Sequence, residues 1–199
     1  MNAPHLNPLV ILVAAMFTHN IAFVYLLGMC PLMALSRSID TAFGMGMAVL
    51  FVTAVTAPID WLIYHLVLVP LHVEVIALLV FIIVIASVVQ FLELLMRRFL
   101  PALHAGFGPF LPLVTVNTTI FAVSIFMVMR SYSFWQEVAF SIGSGAGWAL
   151  AIVLIAGIRE RMLLVSDVPP DMRGAGITMV IAGILALAFV GFSGMVAIQ

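Results

Sequence analysis

The chain has 199 residues, of which 65% are hydrophobic and 8% charged, with a formal net charge of −1 and no lysine. A soluble domain carries about 25% charged residues, so this composition fits lipid rather than water. With no basic run there is no surface to track a nucleic-acid backbone. The lone cysteine, Cys30, excludes an internal disulfide and a metal cluster ligated by thiolates of this chain alone.

Met1 to Pro8 has no positive n-region and no small-residue cleavage site, so it does not read as a cleaved signal peptide. Six apolar runs of bilayer-spanning length follow, predicted at roughly 8–35, 42–68, 73–98, 107–129, 134–158 and 174–197. They are continuously apolar, whereas barrel strands alternate, and helices satisfy their own backbone groups in lipid. The expectation is an all-α membrane protein with six transmembrane helices, forming a single integral membrane domain over 1–199.

Span one carries His19 and Asn20 and is interrupted by Gly28-Met29-Cys30-Pro31. Proline removes a backbone donor and breaks the helical ladder. Cys30 sits in that break. It reads either as a small buried hydrophobe or, because Gly28 and Pro31 open room beside the sulfur, as a ligand or redox group. Asn20 is expected to bond across helices, as is Asn117 further on.

Span two opens with Gly44-Met45-Gly46-Met47-Ala48 and later holds Asp60, with His65 beyond it. An intramembrane carboxylate is a candidate functional group; the alternative is a structural Asp60 that reaches the outer interface. Span three ends with Glu93 four residues before Arg97, the favourable order for a helical ion pair. Span four begins Gly108-Pro109-Phe110-Leu111-Pro112 and runs into Thr115-Val116-Asn117-Thr118-Thr119. Its threonines can back-bond to their own helix.

Span five contains Gly145-Ala146-Gly147-Trp148-Ala149, the same G-x-G-x-A pattern that opens span two. Small residues so spaced let helices approach closely in a bilayer. After it, Pro169 and Pro170 stop the helix. Arg159, Glu160 and Asp167 read as interfacial charges, the two acids pairing with nearby arginines.

The arginines set direction. Arg37 follows the first span, Arg97 and Arg98 the third, and Arg159, Arg161 and Arg173 the fifth; only Arg130 lies on the other side. Arginine-bearing loops stay in the cytoplasm, so both termini are expected outside. Three is odd, so two groups of three spans run in opposite orientation. Two inverted three-helix repeats, about 1–100 and 101–199, would then pair span one with span four, both broken near the midplane. Paired interruptions of this kind point to a functional site. No phosphate loop, metalloprotease helix, nucleophile elbow or carboxylate pair at catalytic spacing is found, so soluble-type catalysis by this chain alone is not indicated.

Further motifs run the length of the chain. They are Leu27-Gly28-Met29-Cys30, Phe110-Leu111-Pro112-Leu113-Val114-Thr115-Val116-Asn117 and Tyr132-Ser133-Phe134. After them come the run Gly143 to Ile152, Ala156-Gly157-Ile158-Arg159-Glu160, Ser166-Asp167-Val168-Pro169-Pro170, Arg173-Gly174 and Phe192-Ser193-Gly194. On these residues the chain resembles the family formed by the E subunit of the sodium-translocating NADH:quinone oxidoreductase and its relative, the A subunit of the Rnf electron-transport complex.

The resemblance implies a six-helix component of a bacterial inner membrane with periplasmic termini and an internal inverted repeat. It implies pairing with a homologous six-helix partner, the D subunit, in a larger complex that oxidises NADH, reduces ubiquinone and exports sodium. It implies a [2Fe-2S] cluster within the membrane, to which each of the two partners gives two cysteines, relaying electrons between flavins. Cys30 carries over as the cofactor-binding, metal-ligating residue. The second family cysteine directly follows the Asn117 position, where this chain has Thr118. Such a cluster takes four ligands, normally thiolates, and a neutral, hard hydroxyl is a poor substitute. Three readings stay open: an electron-relaying component that is not catalytic alone, a cofactor-free scaffold or ion-path component, and a free-standing secondary transporter.

Overall fold

The computed structural model describes residues 7–72, 74–99, 111–115, 117–165 and 174–191, which are largely helical with no strand among them. Helices α1 (Pro8–Met16) and α2 (Met29–Leu35) are separated by the non-helical stretch 17–28. Helix α3 (Ile39–Ile63) carries Pro58 in its interior and continues through a π-helical turn, Tyr64–Leu68, into Val69–Leu71. Then come α4 (Ala77–Phe99), α5 (Leu111–Thr115), α6 (Thr118–Arg130), α7 (Phe134–Val165) and α8 (Ala175–Val190).

Among the described residues, four stretches are long and apolar enough to cross a membrane: Ile39–Leu71, Ala77–Leu95, Leu113–Arg130 and Phe134–Met162; Ala175–Val190 is apolar but shorter. They fall within or around the predicted second to sixth spans. The first span differs. Its break precedes Cys30, and Pro31 lies in the first turn of α2. Proline is tolerated there because the first N–H groups of a helix have no intrahelical partner.

The 32 residues of α7 make it about 48 Å long at 1.5 Å per residue, enough to cross a bilayer and project beyond it. It is the helix against which α1 and α3 pack. A Cβ on Gly46 would stand 2.9 Å from the Ala149 Cβ, and one on Gly145 would stand 3.0 Å from the Leu50 Cα. On the other flank, a Cβ on Gly147 would stand 3.0 Å from the Met16 carbonyl oxygen, and one on Gly143 would collide with the Leu12 carbonyl. The G-x-G pattern therefore brings three backbones together, where dispersion drives association in lipid. Around this seam the largest core gathers Phe23, Leu32, Met45, Trp148, Ile152 and Phe189. By contrast, Leu79, Ile83 and Phe91 of α4 are exposed, as a lipid- or protein-facing surface requires.

The two ends of the bundle differ in chemistry. At one end Arg159, only 7% exposed, donates to the Ser36 hydroxyl at 2.8 Å and the Met33 carbonyl at 3.5 Å. It thus caps the C-terminus of α2, where cations are favoured, rather than lying solvated at the interface as expected. Its neighbour Glu160 accepts from the Ile39 N–H at the start of α3, at 3.3 Å. Asp167, the Arg97 side chain and Arg173 lie outside the described residues, and so do the expected pairs involving them.

At the other end Arg130 donates to the Tyr132 and Tyr25 hydroxyls at 3.1 and 3.4 Å and covers the Phe126 ring at 5.3 Å. Burial raises the Tyr132 phenol above its ordinary value, and Arg130 opposes the shift. Trp61 donates its indole N–H to the Tyr132 carbonyl at 2.9 Å and stacks on His65. Amphipathic rings collect in this way at a membrane–water boundary.

Candidate functional site

A chain that leaves the helical path inside a membrane must satisfy its freed backbone groups. Asn20 does this for the first break. Its amide nitrogen donates to the Met16 carbonyl at 3.0 Å and, across to α7, to the Gly147 carbonyl at 2.9 Å. Its oxygen accepts from the N–H groups of Ala22 and Phe23. The expected interhelical bond of Asn20 is therefore present. Asn117 acts differently: its oxygen caps α6 by accepting from the Thr119 N–H at 3.0 Å.

The two breaks meet. The Gly28 N–H donates to the Thr118 hydroxyl at 2.7 Å, and the Thr119 hydroxyl donates to the Leu27 carbonyl at 3.3 Å. Gly28 takes φ +74, in the left-handed region that favours glycine. Even a Cβ would not fit, because Thr119, the Trp148 indole nitrogen at 2.6 Å and the Asn117 oxygen at 2.8 Å surround the position. Gly28, Asn117 and Thr118 stand out in the sequence, whereas Thr119 and Trp148 do not show there as the walls that hold Gly28. The only hint is the G-x-G-W run that carries Trp148.

Cys30 is the second residue of α2, two positions beyond Gly28, and it is exposed. Thr118 opens α6 and is exposed as well. The starts of the two resumed helices thus lie together at the junction. The first turn of α6 presents the positive end of a helix dipole there, a setting that favours negative charge.

The donor set at the junction tests the implied iron–sulfur centre. Cys30 is the only thiol, and no group of three or more His, Cys, Asp or Glu suited to a metal exists among the described residues. The Thr118 oxygen already accepts from Gly28, and as a hard neutral donor it suits iron–sulfur chemistry poorly. The junction fits a single-ligand share through Cys30 and does not fit a two-ligand share.

Asp60, the intramembrane carboxylate of span two, is not exposed. It is fully buried and accepts from the Ser124 hydroxyl of α6. Glu93 lies on α4, away from this junction in the chain.

Residues 9–196 match a family model described as Rnf-Nqr subunit, membrane protein. The chain is similar, at 45% identity over 92% of this chain and 95% of the relative, to the E subunit of the Na(+)-translocating NADH-quinone reductase of Pseudoalteromonas translucida. It is 44% identical, over 92% of this chain and 95% of the relative, to the protein of the same name from Nitrosomonas europaea. It is 42% identical, over 96% of this chain and 98% of the relative, to the A subunit of the ion-translocating oxidoreductase complex of Syntrophotalea carbinolica.

Proposed function

The chain belongs to the Rnf-Nqr family of membrane-protein subunits, and from that premise we propose how it works. It is a membrane component of a sodium-translocating NADH:quinone reductase, and it relays electrons at the junction of its two broken spans. The observation that carries this reading is the Gly28 N–H donating to the Thr118 hydroxyl at 2.7 Å, which sets Cys30 beside the opening of α6. Six spans in two inverted repeats, about 1–100 and 101–199, account for one break in each half meeting the other. The termini are periplasmic and the membrane is the bacterial inner membrane. Arg37 and Arg159, near the start of α3 and the end of α7, support that orientation.

The exposed Cys30 and Thr118 form a surface for a homologous six-helix partner, the D subunit. A [2Fe-2S] cluster bound there would supply one-electron transfer between donors and acceptors on either side of the membrane. Cys30 would give it one thiolate. The remaining ligands would have to come from neighbouring chains, since Thr118 is committed to Gly28. This chain's own part is to hold Cys30 on a short rigid helix, locked by Gly28, Thr119 and Trp148.

Iron, acid-labile sulfide and the reduced-state EPR signal of the purified complex test this, with Cys30→Ala as the variant. Loss of the signal and of NADH-to-quinone flux, with assembly intact, is the expected result. A complex that lacks iron and keeps full flux with Cys30→Ala would overturn the relay. The second reading, a cofactor-free scaffold or ion-path component, would then stand. Thr118 in the place of a thiolate is the observation that favours it.

A further inference from the structure

Two carboxyl groups outside the junction are buried within the membrane-spanning helices without a cationic partner among the described residues. Asp60 on α3 and Glu137 in the first turn of α7 are each 0% exposed. The two helices meet there: Trp61, next to Asp60, and Phe134, one turn before Glu137, pack edge to face with ring centroids 5.3 Å apart. Ser124 of α6 donates to one Asp60 oxygen. The other Asp60 oxygen and both Glu137 oxygens receive no hydrogen bond. Buried polar groups are normally partnered, and each exception calls for an explanation. An unpaired buried charge is costlier still.

The nearest arginine in the chain does not supply the missing charge. Arg130 spends its guanidinium on the Tyr132 and Tyr25 hydroxyls and on the rings of Phe126 and Phe140. Trp61, bonded to the Tyr132 carbonyl, and Tyr132, packed on Phe140, close the aromatic end next to the pair. One turn along each helix stand further oxygens: Thr56 on α3 and Ser141 on α7, both 0% exposed. Their hydroxyl protons go to carbonyls of their own helices, which leaves oxygen lone pairs to accept. The set is all oxygen, the chemistry that suits hard cations.

We propose that Asp60, Glu137 and Ser124 form an occluded binding site for one hard monovalent cation, a site separate from the Cys30 junction. The carboxyl oxygens without donors supply its ligands. One monovalent cation balances a pair that keeps one proton between its two carboxyls. The choice of a monovalent over a divalent ion rests on the reading of the chain as part of a sodium-translocating complex.

Sodium-22 retention by the purified complex tests the site, with sodium against a choline background as the probe. Asp60→Asn removes the charge, and Glu137→Met, close in size, removes the coordinating oxygens without opening a cavity. Each should remove one retained sodium per complex or weaken it by about tenfold or more, the scale set by losing one partner of a buried charge. The sodium-dependent rise in melting temperature of the wild-type complex should shrink in parallel. Should Asp60→Asn fail to assemble, Glu137→Met decides alone. Unchanged sodium retention in the assembled variants overturns the site, including the case in which the pair merely shares a proton. NADH-to-quinone flux separates the two readings. A complex with full flux and unchanged retention in both variants refutes the cation site alone. Sodium held at this pair by a complex with no such flux refutes the functional reading alone.

Discussion

The backbone N–H of Gly28 donates to the hydroxyl of Thr118, 90 residues away in the chain, at 2.7 Å. A single hydrogen bond thus ties the interruption of the first span to that of the fourth. Gly28 is buried, so its N–H has no water to fall back on. Removing the acceptor leaves the donor unsatisfied, which costs more than the bond itself contributes.

Thr118→Val keeps the shape and deletes the acceptor. It should destabilise the protein by about 1–3 kcal/mol, the cost of a buried unpaired group. Thr118→Ser keeps the oxygen and should stay close to wild type. Thermal unfolding in detergent, followed for both variants, gives the comparison. Equal losses in both would show that the hydroxyl does not hold Gly28.

Gly28→Ala should be more damaging. A side chain at φ +74 costs about 1–2 kcal/mol. The added Cβ also meets Thr119, the Trp148 nitrogen at 2.6 Å and the Asn117 oxygen at 2.8 Å, and overpacking adds about 1–3 kcal/mol. Because these neighbours position α2, the EPR signal of any centre at Cys30 should broaden or vanish before the complex falls apart. Wild-type stability in this variant would contradict the packing described.

Two glycines of the bundle should respond in opposite senses. Gly46 faces the Ala149 backbone across the α3–α7 seam, with the Cα of Ala149 only 3.1 Å from an added Cβ. Gly46→Val should force the helices apart and lower the melting temperature sharply. Gly157, further along α7, has nothing within 4 Å of an added Cβ. Gly157→Ala should be neutral or raise stability by up to about 1 kcal/mol, the helix preference of alanine over glycine.

The spans are legible in the sequence because continuous apolar runs have one stable form in lipid. Asn20 is legible for the same reason: a polar amide there must find a partner. The position of the first break is not. Gly28-Met29-Cys30-Pro31 reads as the interruption, yet the chain is already non-helical from Phe17 to Gly28. That interruption is held by the local bonds of Asn20 and by its one tertiary bond to Gly147 of α7, which local sequence does not display. Asp60 is conspicuous in the sequence but its burial is not, and Glu137 is inconspicuous altogether. A lone glutamate at the start of an apolar run looks like interfacial charge. Only the packing of α3 and α6 around the first turn of α7 encloses it. Arg159 looks interfacial for the same reason, since the end of α2 that it caps is distant in sequence.

Orientation can be read directly. In a Cys30→Ala background, cysteine placed at Leu164, which is exposed near the end of α7, should react with an impermeant maleimide only from the cytoplasmic side. Cysteine at Ser133, exposed between α6 and α7, should react only from outside. Sealed right-side-out vesicles that label at position 164 and not at 133 would reverse the topology.

The ligand that the proposed centre lacks at position 118 can be supplied. Thr118→Cys places a second soft sulfur at the start of α6, beside the turn that carries Cys30. If the threonine marks a lost ligand, iron per purified complex should rise and the reduced-state EPR signal should strengthen, because thiolate suits iron–sulfur centres where a hydroxyl does not. The same change weakens the hold on Gly28, since sulfur is a poorer acceptor than oxygen. The metal-free variant should therefore melt below wild type, and metal loading should recover the difference. An increase in iron together with that recovery would identify position 118 as a ligand site. Unaltered iron and an unaltered EPR signal would show that the hydroxyl's structural bond to Gly28 is the whole of its role.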